Sequence, residues 1–175
     1  MQNFNQPKDN SYKDVGLEKV LQQVKQRIER DELIIKTTDR LRESLQVDRV
    51  VLYYFYNQWS GQVTFESLNQ SKYSIIGSTG PDESFNDEYA AMYLQGRVRA
   101  INDIETASIH QCHREFLREL QVRANLVVPV LTPKGLWGLL VAHHCQAPRN
   151  WSISDIEVME QGAQILATSP TILRS

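Results

Sequence analysis

Ala124-Asn125-Leu126-Val127-Val128-Pro129-Val130-Leu131, the turn Thr132-Pro133-Lys134-Gly135 and Leu136-Trp137-Gly138-Leu139-Leu140-Val141-Ala142-His143 decide the fold of this chain. Each apolar run is short, bounded by Pro, Gly or charge, and rich in residues that suit a pleated surface, so the pair reads as an antiparallel hairpin. Leu126 to Leu131 and Leu136 to Ala142 fall well short of the ~20 apolar residues that cross a bilayer, and no membrane span is expected. A second hairpin lies upstream. Asp48-Arg49-Val50-Val51-Leu52-Tyr53-Tyr54-Phe55-Tyr56 reads as a strand rich in β-branched and aromatic residues, and Gln62 to Leu68 as its partner, with the turn assigned to Ser60-Gly61.

Helical spacing surrounds these strands. Leu17, Val20, Leu21, Val24 and Ile28 recur on one face, and after the charged break Glu29-Arg30-Asp31-Glu32 a second series runs through Leu33, Ile34, Thr37, Leu41 and Leu45, giving two helices or one long bent helix. Glu88 to Leu94 predicts a short helix ended by Gly96, Val98 to Ile104 a short extended piece, and Cys112 to Leu120 another helix. After Pro148, Ser152 or Ser154 caps a last helix with acidic residues in its first turn. Residues 69–87 hold glycines, a proline and small polar residues, and read as an irregular loop or weak strand of the kind that carries function. The fold class is α+β, a central antiparallel β-sheet flanked by helices. Residues 1–14 form a flexible arm, 15–32 a linker helix, 33–167 one domain and 168–175 a tail.

Composition narrows the partners. The 175 residues suffice for one packed domain, and 19 basic against 21 acidic side chains, for a net charge of −2, leave no electrostatic footprint for nucleic acid. The first residues, Met1-Gln2-Asn3-Phe4-Asn5-Gln6-Pro7-Lys8-Asp9, lack the charged and apolar regions of a secretory signal, so the expected setting is cytoplasmic. Cys112 and Cys145 match no zinc spacing, and a reducing compartment keeps them as free thiols.

Cys112-His113 is the most informative dipeptide. A thiol at the apolar face of a short helix, with an imidazole beside it, can form a thioether to a conjugated pigment and hold its charge. On the residues alone Cys112 reads first as a buried core thiol, His113 as a surface helix residue, and Asp82 as a turn residue after Gly80-Pro81. Tyr93 reads as plain core and His143 as a strand residue.

The order of elements, with Val122 to Leu131, Leu136 to Cys145 and Ala147-Pro148-Arg149-Asn150-Trp151, resembles the chromophore-binding GAF domain of cyanobacteriochromes, relatives of phytochromes. The likeness runs from about Leu33 to Leu166, and the helix Val15 to Arg30 resembles the signalling helix joining such domains to their neighbours. The resemblance implies a photoreceptor module, not an enzyme, that binds a linear tetrapyrrole (bilin). Phycocyanobilin is the first choice, phycoviolobilin or biliverdin the others. Attachment is a thioether, light drives 15Z/15E isomerisation, and signal transduction passes through flanking helices to an output domain of a larger parent, with a homodimer formed through the helices. Carried over by position, Cys112 bonds the bilin, His113 packs against it, Asp82 accepts from its pyrrole N–H groups, and Tyr93 lines its pocket. His143 contacts a propionate or the terminal ring, and Arg97, with Arg99, clamps propionates. In the loop Asp82-Glu83-Ser84-Phe85, one branch of the family has a second cysteine where this chain has Ser84, next to Phe85. A hydroxyl is too weak a nucleophile to replace it, so the blue-shifting second thioether is expected to be absent. The red/green branch carries a tryptophan shortly before the Asp and an arginine where this chain has Met92, so its colours do not transfer. The alternatives are a GAF regulatory domain binding another small ligand or none, and an enzyme resembling GAF-type methionine sulfoxide reductases, which two cysteines support poorly.

Overall fold

The computed structural model describes residues 11–79 and 87–175. Ser11–Glu29 (α1) and Glu32–Leu45 (α2) are separate helices, and α1 starts ahead of the expected Val15. The break falls where Asp31 takes an extended backbone and its carboxylate accepts from the N–H groups of Leu33 and Ile34, at 3.0 and 3.2 Å, capping α2. The strands are β1 (Arg49–Asn57), β2 (Ser60–Leu68), β3 (Arg99–Ile101), β4 (Ala124–Thr132) and β5 (Gly135–His144). They form one five-stranded sheet in the order β2-β1-β5-β4-β3, every neighbour antiparallel. The remaining helices are α3 (Asp87–Leu94), α4 (Gln111–Glu119), α5 (Ile153–Leu166) and α6 (Pro170–Arg174). The α+β class holds.

The β1–β2 turn corrects the sequence reading. It is made by Gln58-Trp59, with Trp59 at φ 28° and the Asn57 side chain accepting from the Gln58 N–H at 2.8 Å, while Ser60 and Gly61 already belong to β2. Gly61 is a glycine for a different reason: a Cβ there would strike the Tyr54 carbonyl oxygen and the Tyr53 ring. Gly96 does end α3, at φ 87°, a left-handed conformation that glycine adopts freely.

Because side chains alternate along a strand, the sheet has two different faces. Val50, Leu52, Leu126, Val128, Val130, Leu140 and Ala142 point to one, where they meet Val24 and Ile28 of α1, Ile34, Leu41 and Leu45 of α2, and Met159, Ala163 and Leu166 of α5 in one continuous core. Ser152 caps α5 in a reciprocal box with Asp155. Residues 168–175 pack on the domain. Ser169 caps α6 by accepting from Thr171 and Ile172 N–H, Ile172 is buried in the main core, and Trp137 Nε1 donates to Ser175 Oγ at 2.7 Å. Ser169 Oγ also donates to the Asp31 carboxylate at 2.6 Å, tying α6 to the start of α2. The other face of the sheet carries Val51, Val63, Val127 and Val141 with Ile75 and Tyr93. Among the described residues it is only partly covered.

Candidate functional site

On that second face lies a cavity of about 400 Å³. Its floor follows the strand alternation: Val51, Tyr53 and Phe55 of β1, Leu139, Val141 and His143 of β5, and Asn125 and Val127 of β4. Register groups these into rows, with Val51, Val141 and Val127 side by side and the polar row Arg49, His143 and Asn125 next to it. Tyr89 and Tyr93 of α3, Arg99 of β3, Trp59 of the β1–β2 turn and a face of α4 complete the lining.

α4 is held by packing and by capping. Ile101, Ile104, Leu117 and Val122 form a small separate core beneath it, and Arg114 donates to the carbonyls of Ile104 and Ala107 at 2.8 and 2.7 Å. His110 is the N-cap, its Nδ1 accepting from the Cys112 N–H at 3.2 Å. This phase turns His113, Phe116 and Leu117 toward the cavity, at the spacing of one helical face. Cys112, four residues before Phe116, is exposed and does not line the cavity, which corrects the expectation of a thiol set in the apolar face. His113 is half-buried, and burial, aided by the charge of Arg99, lowers its pKa below the usual histidine value.

The other expected residues divide. His143 is buried and lines the cavity; burial and the adjacent Arg49 hold its pKa well below the ordinary imidazole range. Tyr93 is buried, and burial pushes its phenol up, keeping the O–H protonated. Arg97 does not line the cavity: its guanidinium lies over the rings of Tyr89 and Tyr93, 5.3 and 5.7 Å from their centroids, and donates to Met92 Sδ. Arg99, by contrast, lines the cavity and carries a buried Nε without a hydrogen-bond partner among the described residues. Asp82, Ser84 and Phe85 lie outside the described residues. Cys145 is half-buried, and burial raises its thiol to about 11.

Several lining residues went unnoticed in the sequence. Tyr53, Phe55 and Trp59 form an edge-to-face series with centroids 5.4 Å apart at each step, and Trp59 Nε1 donates to Asp87 Oδ1 at 2.6 Å, joining the hairpin to the start of α3. Alternating aromatics in β1 were the available signal. Asn125 gave none, yet its Oδ1 is buried and unpartnered among the described residues. Unsatisfied buried polar atoms are rare in native folds. An apolar floor, aromatic walls and orphaned polar atoms at Arg99 and Asn125 fit a large, flat, conjugated ligand with polar edges. Among the described residues no cluster of three or more His, Cys, Asp or Glu would hold a metal ion.

Comparison with known proteins agrees with this architecture. The family model for the GAF domain matches residues 29–169. An uncharacterized protein of Picosynechococcus sp. is 47% identical over 88% of this chain and 94% of its own length. The circadian input-output histidine kinase CikA of Synechocystis sp. is 30% identical over 87% of this chain, which spans only 24% of the kinase. Among solved structures, the blue-light absorbing form of the Thermosynechococcus elongatus PixJ GAF domain superposes with a TM-score of 0.70 at 34% identity, covering 77% of this chain and 83% of that one. The phycoerythrobilin-bound GAF domain from a cyanobacterial phytochrome gives 0.71 at 30% identity, covering 90% and 96%. A phycocyanobilin-bound GAF domain from a cyanobacterial phytochrome gives 0.67 at 31%, covering 87% and 94%.

Proposed function

From the premise that the chain belongs to the GAF-domain family, with its match over residues 29–169, we propose that it is a photoreceptor module holding a linear tetrapyrrole, phycocyanobilin first, through Cys112. The observation that carries the reading is the cavity itself, with an apolar floor, aromatic walls and orphaned polar atoms beside His113 and His143. When bound, a bilin supplies a double bond that light isomerises between 15Z and 15E.

The remaining roles belong to the chain. Cys112, exposed beside the cavity, is accessible for sulfur to add to a carbon–carbon double bond, the thiol proton passing to the neighbouring carbon. His113 stands at the wall as a neutral ring able to donate from one nitrogen and accept at the other. Arg99 offers its unpartnered Nε–H to a propionate carboxylate, taking the clamping role ahead of Arg97. Tyr93 offers a protonated phenol, and Asp82 an acceptor for pyrrole N–H groups. Ser84 supplies no thiol, so both light-absorbing forms keep their conjugation and absorb in the visible. Output through α1 and a larger parent protein completes the reading.

Co-expression with a phycocyanobilin-producing pathway, followed by denaturation and zinc-induced fluorescence on a gel, tests it. Wild type and Cys145→Ala retain covalent colour, and Cys112→Ala loses it. Colourless wild-type protein would overturn the chromophore reading in favour of a GAF regulatory domain for another ligand.

A further inference from the structure

Arg27 and Arg30 are three residues apart and so share one side of the last turn of α1, where the chain tightens as the N–H groups of Arg30 and Asp31 donate to the carbonyls of Arg27 and Ile28 at 3.3 and 3.1 Å. Arg174 ends α6. With Asp31, Pro170 and Thr171 these three arginines line an open cleft of about 600 Å³ between α1 and α6, and none of its residues lines the cavity on the sheet. A cation near the C-terminus of a helix complements the macrodipole. That accounts for an arginine at each helix end, but not for three guanidiniums around one hollow.

Asp31, the one acid among the lining residues, does not neutralise them. Its Oδ1 accepts from the N–H groups of Leu33 and Ile34, its Oδ2 accepts from Ser169 Oγ, and Thr171 adds a further side-chain hydrogen bond. Burial raises its pKa, but these hydrogen bonds outweigh that and lower it, so the carboxylate is ionised at neutral pH with its acceptor positions already filled. Arg27, Arg30 and Arg174 make no side-chain hydrogen bond or ion pair among the described residues, whereas Arg118, Arg123 and Arg149 each hold a carboxylate. Arg27 and Arg30 also border a hollow of about 300 Å³ with Gln23 and Gln26, whose amides extend the donors along α1.

We propose that this cleft is a binding site for a small anion carrying phosphoryl groups, which bridges the end of α1 to α6 through Arg27, Arg30 and Arg174. A guanidinium is always charged and presents paired N–H donors that match two oxygens of a phosphate. Three such forks around one space exceed what a single carboxylate can use, and they suit an ion with two phosphoryl groups. Pro170 is the only apolar residue in the lining, so recognition rests on the phosphoryl oxygens and not on an attached base or chain. The occupied site links α1 to α6 whatever fills the cavity on the sheet.

Calorimetric titration of the whole chain with sodium pyrophosphate, at an ionic strength held constant with sodium chloride, tests the site. One ion per chain should bind saturably, with a Kd below about 1 mM. Arg27→Gln and Arg174→Gln, one from each helix, should each weaken binding at least about tenfold. Arg40→Gln removes the same charge from an exposed position of α2 outside the cleft and should leave binding unchanged. Equal weakening in Arg40→Gln would reduce the effect to net charge and overturn the site. Vesicles of phosphatidylcholine with phosphatidic acid separate the sources: co-sedimentation that Arg27→Gln abolishes, without binding of free pyrophosphate, upholds the phosphoryl chemistry and names a lipid headgroup. Neither saturable pyrophosphate binding nor co-sedimentation overturns the proposal. A polyglutamate peptide that binds more tightly than pyrophosphate, and is lost in the same two variants, overturns the phosphoryl assignment in favour of an acidic protein segment.

Discussion

The two faces of the sheet are built from the same strands, often from adjacent residues, and they do opposite things. Leu140 and Leu126 are completely buried on the helix face, closed in by α2 and α5 so tightly that a Cβ at Gly162 would lie 2.7 Å from the Leu41 side chain. One residue along each strand, Val141 and Val127 open instead onto a cavity of about 400 Å³. The helix face is filled, whereas of the three buried side-chain atoms without a partner among the described residues, Arg99 Nε, Arg123 Nε and Asn125 Oδ1, two belong to residues that line the cavity. The cavity face keeps unsatisfied groups at Arg99 and Asn125. Stability resides on one side and unspent interaction capacity on the other, which is how a small domain holds a ligand without surrendering its core.

The contrast is open to direct attack. Leu140→Ala should cost about 3 kcal/mol in urea unfolding of the unliganded protein, because the closed face cannot collapse around the hole. Val141→Ala should cost about 1 kcal/mol, since among the described residues one side of that valine faces the cavity rather than packed neighbours. Equal losses would erase the distinction between the faces.

Acid should act through the cavity face first. His143 and His113 are held neutral with lowered folded-state pKa values, so below the ordinary imidazole value of 6.5 the unfolded chain takes up protons that the folded chain refuses. Stability is therefore fully present above pH 6.5 and falls as pH drops, by at most about 1.4 kcal/mol per pH unit for each ring. His143→Gln, whose side-chain oxygen can still accept from Arg49, should flatten the first part of this decline in urea titrations at stepped pH. Asp48 contributes separately. Burial raises its pKa, but hydrogen bonds from the Cys145 N–H, Gln146 and Asn69 outweigh that and lower it, so its share is present above pH 3.8 and lost below.

A smaller effect of opposite sign sharpens the comparison. Asn125→Leu replaces a buried, unpartnered acceptor by an apolar side chain and should stabilise the unliganded protein by about 1 kcal/mol, measured by thermal unfolding. The smallest effect belongs to the exposed surface: Glu105→Gln breaks an ion pair with Arg118 of 2.5 Å and should leave the melting midpoint unchanged within error.

What the sequence disclosed was local. The break before α2 and the start of α5 depend on neighbours a few residues away, so the charged run at Glu29-Arg30-Asp31-Glu32 and the choice of Ser152 or Ser154 were legible, though the Asp31 cap and the Ser152-Asp155 box were not. Gly61 misled because glycine is an ordinary turn signal, whereas here the demand comes from Tyr53 and Tyr54 on the facing strand. The exposure of Cys112 depends on the phase of α4, set by the His110 cap and by a core drawn from Ile101, Ile104 and Val122. The polar row needed the register of three strands, since Arg49 and His143 lie 94 positions apart. His143 and Tyr93 were nameable from family resemblance, and the alternating aromatics of β1 hinted at Phe55; Asn125 became visible only when the strands were paired.

The Asp31 carboxylate is a clasp. One oxygen receives the first amides of α2 and the other receives Ser169, whose own hydroxyl oxygen receives the first amides of α6. Two helix starts 138 positions apart thus share a single fastener at the joint where α1 gives way to α2. A twist applied to that joint cannot stay on one side of it. The chain's entry into the domain and its closing helix are geared together, and a torque delivered to either is felt by the other.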